Sequence, residues 1–381
     1  MSFSYLSSKY KGETLDNEDL EISYDDIKYL HEENGKDKQE CDIVTDGKLT
    51  PHDFDDFLQY VMLDFKITGY LLGYPYGMVI RQGERNHYYR GENELFPSST
   101  STLQRCFNPL EDFEFKKFIS YMRIREFEKF IRKFRHVEYW QENYSDVYGE
   151  AIAQHYGIKT NLLDITNDFD TALFFATCRF EDSKWRPLTK RDIEKNENSR
   201  YGRIFHAPSW QVMLKNMVSG SNNDCVGGIW PIGFQPFMRC HMQYGYAMDC
   251  DEGYCMQKDV AFEKLIFKHS EKLSEKVFEF MDEGRKIYPQ EGLNKFQNII
   301  DKIGETKIFS EDSFDYACEK LKYSKEEIEE IKNKLNEQKY VIDEFKLNID
   351  INRIKEIDNE YKDFSIEKEY GIKISSRLMF L

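Results

Sequence analysis

Residues 149–178, GEAIAQHYGIKTNLLDITNDFDTALFFATC, constrain the fold more than any other stretch of the chain. They read as a helix running to Tyr156, a turn at Gly157, a short strand over 161–165 and a second helix. Glycine is the usual residue for the left-handed turn that ends a helix. Asn167 or Asp168 caps the second helix, and Ala172, Leu173, Phe175 and Ala176 give it an apolar face. Leu163 and Ile165 point to one side of the strand and Asp164 to the other. A strand set between two helices fits an α+β structure.

The flanking sequence extends this pattern. Residues 86–92, NHYYRGE, read as a strand meeting a glycine, after a Gly- and Tyr-rich loop at 69–80 that leads into a strand. A long amphipathic helix follows, with Phe115, Phe118, Ile119, Met122, Phe127, Phe130, Ile131 and Phe134 at helical spacing. Strand-like stretches recur at 203–207, 228–232 and 262–267, and 236–250 reads as strand and turn. Residues 181–200 read as a charged, exposed loop. Beyond them lie helical stripes stopped by Gly284 and Gly304, and a helix opened by the capping box Ser324–Glu327. Another helix is expected to start at His52 or Asp53. The expected organisation is an acidic N-terminal segment with one helix (1–79), a central domain (80–304) and a helical C-terminal extension (305–381). The architecture expected of the central domain is a mixed sheet with flanking helices.

Charge narrows the function. The net charge is −16, and residues 1–60 alone carry −10, from 16 acidic side chains and 6 lysines. Such a chain is a poor general binder of nucleic-acid backbone, which demands local positive charge. One local exception is the helix over Lys116–Arg135, whose polar face carries +6. That face could meet nucleic acid, dock the acidic N-terminus or a regulatory protein partner, or simply face solvent. No apolar run is long enough to span a membrane, and the first residues do not read as a signal peptide. Eight cysteines without paired short spacing fit reduced thiols in a cytoplasmic protein. Cys225, Cys240, His241, Cys250 and Cys255 gather in one stretch, but their spacing matches no zinc pattern, and no metal is expected. No Gly-rich phosphate loop or hydrolase elbow is present.

Several residues can carry chemistry. Arg90 before Gly91 and Glu92 pairs a guanidinium, which can grip phosphate bidentately, with a glycine that lets backbone approach a ligand closely. The same arginine could instead pair with Glu92 or another carboxylate and hold its strand. Gln154, His155 and Tyr156 place polar groups and a ring at a helix C-terminus, where the dipole favours an imidazolium. His155 reads either as an acid/base or ring clamp, or as a buried histidine with Tyr156 in the core. Asp164 needs a partner, Arg90 being a candidate, whether as a site carboxylate or as a structural ion pair. Thr166 and Asn167 read as helix caps or as ligand contacts.

Four segments together resemble the FRG domain, a bacterial family named for a Phe-Arg-Gly signature. They are Tyr89-Arg90-Gly91-Glu92 with Pro97-Ser98 and Arg105; Gln154-His155-Tyr156-Gly157 running through Thr160, Leu162-Leu163-Asp164 and Thr166 to Ala172-Leu173-Phe174-Phe175-Ala176; Arg239, Gln243 and Gly245-Tyr246; and Lys264-Leu265-Ile266 through Tyr288-Pro289 to Glu291-Gly292-Leu293. The chain departs from the pattern at Tyr89, which replaces the signature Phe, and at Asn161 and Ile165, where the family usually has Arg and Trp. The resemblance implies a toxin-like or phage-defence effector with an ADP-ribosyltransferase-like fold and NAD as substrate. It implies catalytic roles for Arg90, His155, Asp164 and Gln243, with Glu252 and Glu263 as substitutes for the late acid. Arg90, Gly91, Glu92, Gln154, Tyr156, Thr166 and Asn167 would contact the nucleotide, and an unidentified macromolecule would be the target. The other readings are a non-catalytic recognition module using the same cleft and a nucleic-acid-binding protein using the basic helix.

Overall fold

The computed structural model describes residues 43–44, 67–73, 77–82, 87–106, 112–143, 147–181, 184–208, 229–232, 235–250, 252–289, 292–363 and 374–375. The helix expected from His52 or Asp53 and most of the acidic N-terminal segment lie outside them. Within the stretch 69–80, expected as loop leading into a strand, residues 69–73 and 77–80 instead belong to the antiparallel strands Ile67–Gly73 and Gly77–Gln82.

The architecture is α+β. Its main sheet uses six strands: β1 (His87–Glu92), β2 (Leu162–Thr166), β5 (Tyr201–Pro208), β6 (Ile229–Pro231), β7 (Gly245–Asp249) and β8 (Glu263–Lys268). A separate hairpin pairs β3 (Cys178–Glu181) with β4 (Lys184–Pro187). The sheet order is β8-β5-β1-β2-β7-β6. Every pairing within it is antiparallel, where a mixed sheet was expected. Strands β1 and β5 pair along their whole length, but β1 and β2 meet at the single pair Tyr89–Thr166. Past that pair the two central strands part, and the opening becomes the floor of a cleft.

Helix Phe169–Thr177 covers one face of the sheet. Its Phe169, Ala172, Leu173 and Ala176 pack with Tyr89 of β1, Ile204 of β5 and Leu265 of β8. Asp168 accepts a hydrogen bond from the Thr171 amide at 2.9 Å and is the cap, so Asn167 is released from that role. Leu163 and Ile165 pack on the opposite face with Phe205, Tyr246 and Met248. The alternation read from the sequence therefore holds: Asp164 turns away from both.

The long helix Phe113–Ile131 joins two cores. Its first half packs Phe115, Phe118, Ile119 and Met122 against Phe309, Phe314, Ile331 and Leu335 of the C-terminal helices. Its second half packs Phe127 and Phe130 with Phe237, Phe296 and Ile300. Much of its basic face is engaged by the C-terminal segment. Arg125 grips Asp312 through Nε and Nη2 at 2.8 and 3.0 Å, Lys129 donates to Ser310 at 2.7 Å, and Arg123 reaches the Thr306 carbonyl at 3.3 Å. No helix among the described residues is long and apolar enough to cross a membrane.

Three local expectations are revised. Residues 181–200 are not simply loop: they hold β4 and the short helix Lys190–Ile193 with a Thr189 capping box. Residues 236–250 contain the short helix Arg239–Met242 before β7. Gly304 lies within helix Gln297–Glu305 instead of ending it, whereas Gly284 takes the left-handed φ of +85° expected of a stop.

Candidate active site

A cavity of about 610 Å³ opens where β1 and β2 part. Arg90, His155, Asp164 and Gln243 all line it, although the sequence scatters them over 153 positions. Gly91, Glu92 and Thr166 line it too.

Arg90 bridges the parted strands. Its Nη1 donates to the Asp164 backbone carbonyl at 2.8 Å and its Nε donates to Glu92 at 3.3 Å. The carbonyl would otherwise lack a partner where the ladder opens, and the guanidinium supplies one. The pairing of Arg90 with the Asp164 carboxylate, considered from the sequence, does not form; Arg90 pairs with Glu92. Glu92 is buried, accepts from Ser99 at 2.6 Å and lies 3.7 Å from Arg203. It is therefore held from several directions and anchors Arg90.

Asp164 keeps its side chain 47% exposed, and Gln154 donates to its Oδ1. Gln154 in turn accepts from Thr160, so it orients the carboxylate from behind the cavity wall. His155 ends helix Gly149–His155 with its side chain 3% exposed. Its Nε2 is 3.7 Å from Asp164 Oδ1 and has no hydrogen-bond partner. Burial holds the imidazole pKa below its ordinary value, outweighing the upward pull of Asp164. The helix dipole was expected to favour the cation, but desolvation wins and the ring is neutral near pH 7. Gly245 lets the Cys240 carbonyl and Ile232 approach, since a Cβ there would lie 3.0 Å from the first and 3.2 Å from the second.

Gln243 is buried and donates from Nε2 to the Ile287 carbonyl at 3.0 Å. Thr166 donates to the Gln243 carbonyl at 2.8 Å, tying β2 to the turn before β7. Of the suggested substitutes for the late acid, Glu263 on β8 pairs with His206 on β5 at 3.2 Å, and Glu252 lines an adjoining depression. Neither reaches the main cavity.

Tyr156 and Asn167 do not line the cavity. Tyr156 is 1% exposed, and the Arg239 guanidinium sits 3.9 Å from its ring and 3.8 Å from that of Tyr288. Arg239 also donates to the His155 carbonyl and to Asn294, so it clamps the His155 helix end to the Tyr288 segment. Among the cysteines singled out from the sequence, Cys240 and Cys250 are buried thiols, Cys255 is half-buried and Cys225 lies outside the described residues.

The cavity also has a wall that was not foreseen. Phe175, Phe180 and Trp185 form an aromatic surface, with Trp185 5.5 Å from Phe175 and 5.2 Å from Phe180 between ring centres. Arg179, Lys195 and Arg105 also line the cavity. The wall depends on the β3-β4 hairpin, whose second strand falls in the stretch 181–200 expected as loop.

The family model of the FRG domain matches residues 85–184, a span that begins just before β1 and ends at the first residue of β4. It takes in Arg90, Arg105, His155, Asp164 and Phe180, while Gln243 and the late segments of the resemblance lie beyond it. No curated protein and no solved structure matches the chain. The sheet centre and most of the cavity lining thus fall within the matched residues, and the chain carries an FRG domain.

Proposed function

We propose that the cleft binds NAD as a substrate and that the chain transfers its ADP-ribose to an acceptor in an ADP-ribosyltransferase-like reaction. The observation that supports this reading is the meeting of Arg90, His155 and Asp164 with the aromatic wall in one cavity. An aromatic surface suits a planar ring, a guanidinium suits phosphate, and a half-exposed carboxylate suits positive charge developing on a sugar carbon. The bond between the nicotinamide nitrogen and the ribose breaks, and its electron pair leaves with the ring. Asp164 stabilises the oxocarbenium-like centre. The acceptor then bonds to that carbon and loses a proton, which neutral His155 can take. Gln243, held by the Ile287 carbonyl, lines the same cavity as His155. The family resemblance adds the biological setting, a toxin-type or phage-defence effector acting on a macromolecule.

The test is nicotinamide release by the full chain incubated with NAD, with and without cell extract. Asp164→Asn should lower the rate roughly 10²- to 10³-fold, the scale for losing one electrostatic stabiliser, with an unchanged melting temperature. Absence of both nicotinamide release and calorimetric NAD binding near millimolar would overturn the reading in favour of a recognition module.

A further inference from the structure

The cleft continues past Arg105. Phe96 and Arg105 line both the main cavity and a second depression of about 550 Å³, whose lining also includes Ser98, Gln104, Phe113, Glu252 and Tyr254. The two arginines near this junction are held differently. Arg90 spends Nε on Glu92 and Nη1 on the Asp164 carbonyl. The Arg105 guanidinium has no hydrogen-bond or ion-pair partner among the described residues. Desolvation and the Arg90 charge push its pKa down, while Glu92 and Asp164 pull it up, although the residue is exposed to solvent.

The backbone that carries Arg105 is anchored, and the residue itself is exposed at the junction. It ends the one-turn helix Thr102–Arg105, which Ser101 caps by accepting from the Gln104 amide at 3.2 Å. Gln104 donates to the Cys250 carbonyl at 3.1 Å and accepts from the Gly253 amide at 3.2 Å. Arg90 and Arg105 line the same cavity, and two like charges there are an arrangement that a multivalent anion relieves.

We propose that Arg90 and Arg105 form one diphosphate site at the junction of the two recesses. Its ligand is a dinucleotide with one ring on the Phe175, Phe180 and Trp185 wall and the other half in the second depression. This rests on the nucleotide reading given above and adds to it the span of the ligand and a binding role for Arg105. A mononucleotide would fill one recess and leave the other empty. A dinucleotide has a ring at each end and a diphosphate between them, matching aromatic wall, paired arginines, and a recess containing Phe96, Phe113 and Tyr254.

Calorimetry with inorganic pyrophosphate and with NAD tests the assignment on the full chain. Arg105→Met keeps the aliphatic stem and removes the charge. It should weaken both ligands about tenfold or more, the scale of one charge-assisted hydrogen bond, and Arg105→Lys should recover part of the loss. Ser98→Trp fills the second depression and should weaken NAD at least tenfold while leaving pyrophosphate unchanged. Wild-type affinity for pyrophosphate in Arg105→Met overturns the anion site, and wild-type affinity for NAD in Ser98→Trp overturns the second half. Failure of the wild-type chain to bind either ligand near millimolar overturns both. If NAD binds with these dependences but no nicotinamide is released, the transferase reading fails and the dinucleotide site stands.

Discussion

A Cβ built on Gly91 would stand 1.8 Å from the Ala172 carbonyl oxygen and 2.8 Å from the Ala176 amide nitrogen. Both atoms are helix backbone and cannot swing aside. The glycine of the Arg-Gly pair thus lets helix Phe169–Thr177 press against β1; approach to a ligand is not what demands it. Gly91→Ala should cost at least about 3 kcal/mol, the upper range for overpacking a well-packed site, measurable as a drop in the urea midpoint. An unchanged midpoint would mean that the helix shifts freely. Sequence was a good guide to residues whose role follows from local periodicity. Asp164 opposes Leu163 and Ile165 by strand alternation, and His155 and Gly157 mark a helix end. Arg105 was visible as part of a signature but not as a site residue, because its value depends on where a one-turn helix sits against Arg90. Tyr156 was misleading for a related reason: its partner, Arg239, lies 83 positions away, and only tertiary packing brings them together.

At the level of elements, Glu126 joins helix Phe113–Ile131 to the C-terminal helices. It is 2% exposed, and its Oε1 accepts from the Ser310 amide at 2.8 Å, the Ser310 hydroxyl at 2.6 Å and the Ser313 hydroxyl at 2.7 Å. Lys129 lies 3.3 Å from its other oxygen. The carboxylate therefore completes the N-terminus of helix Glu311–Leu321 from a neighbouring helix. Removing it strands several buried donors, and Glu126→Ala should cost about 3–5 kcal/mol, as for breaking a buried pair. Hydrogen exchange should show the loss first at residues 309–340, with β1 and β2 still protected. Uniform loss of protection would make the C-terminal helices and the sheet one cooperative unit. Long periodic helices and the strands of the main sheet were legible because burial on one face imposes a repeat. The β3-β4 hairpin was not, since Arg179, Glu181, Lys184 and Arg186 make it look like solvated loop. Arg186 binds Glu181 and Asp192 at 2.7 and 2.6 Å, so these charges are structural, and they frame the aromatic wall.

Across the whole molecule, buried histidines set the response to acid. Burial pushes His136 and His269 down to about 4, and it also lowers His155 and His206. In the unfolded chain these rings titrate near 6.5. Between 6.5 and 4 the unfolded chain binds more protons, so stability is complete above about 6.5 and is lost as the pH falls. His136 and His269 each account for roughly 3 kcal/mol over that window. Glu150 acts in the opposite sense. Burial raises its carboxyl to about 7, with Asp249 adding to the effect. Its contribution is therefore complete below the ordinary carboxylate range and is lost as the pH rises through 7. Four histidines outweigh one glutamate, and the urea midpoint should fall steadily from pH 7 to pH 5. Glu150→Gln removes the opposing group and should make that fall steeper. His136→Asn keeps a side-chain donor for the Pro236 carbonyl, which the imidazole meets at 2.7 Å, and should make the fall shallower. A midpoint that stays level or rises on acidification to pH 5 would mean that these rings reach solvent and carry their protons in the folded chain.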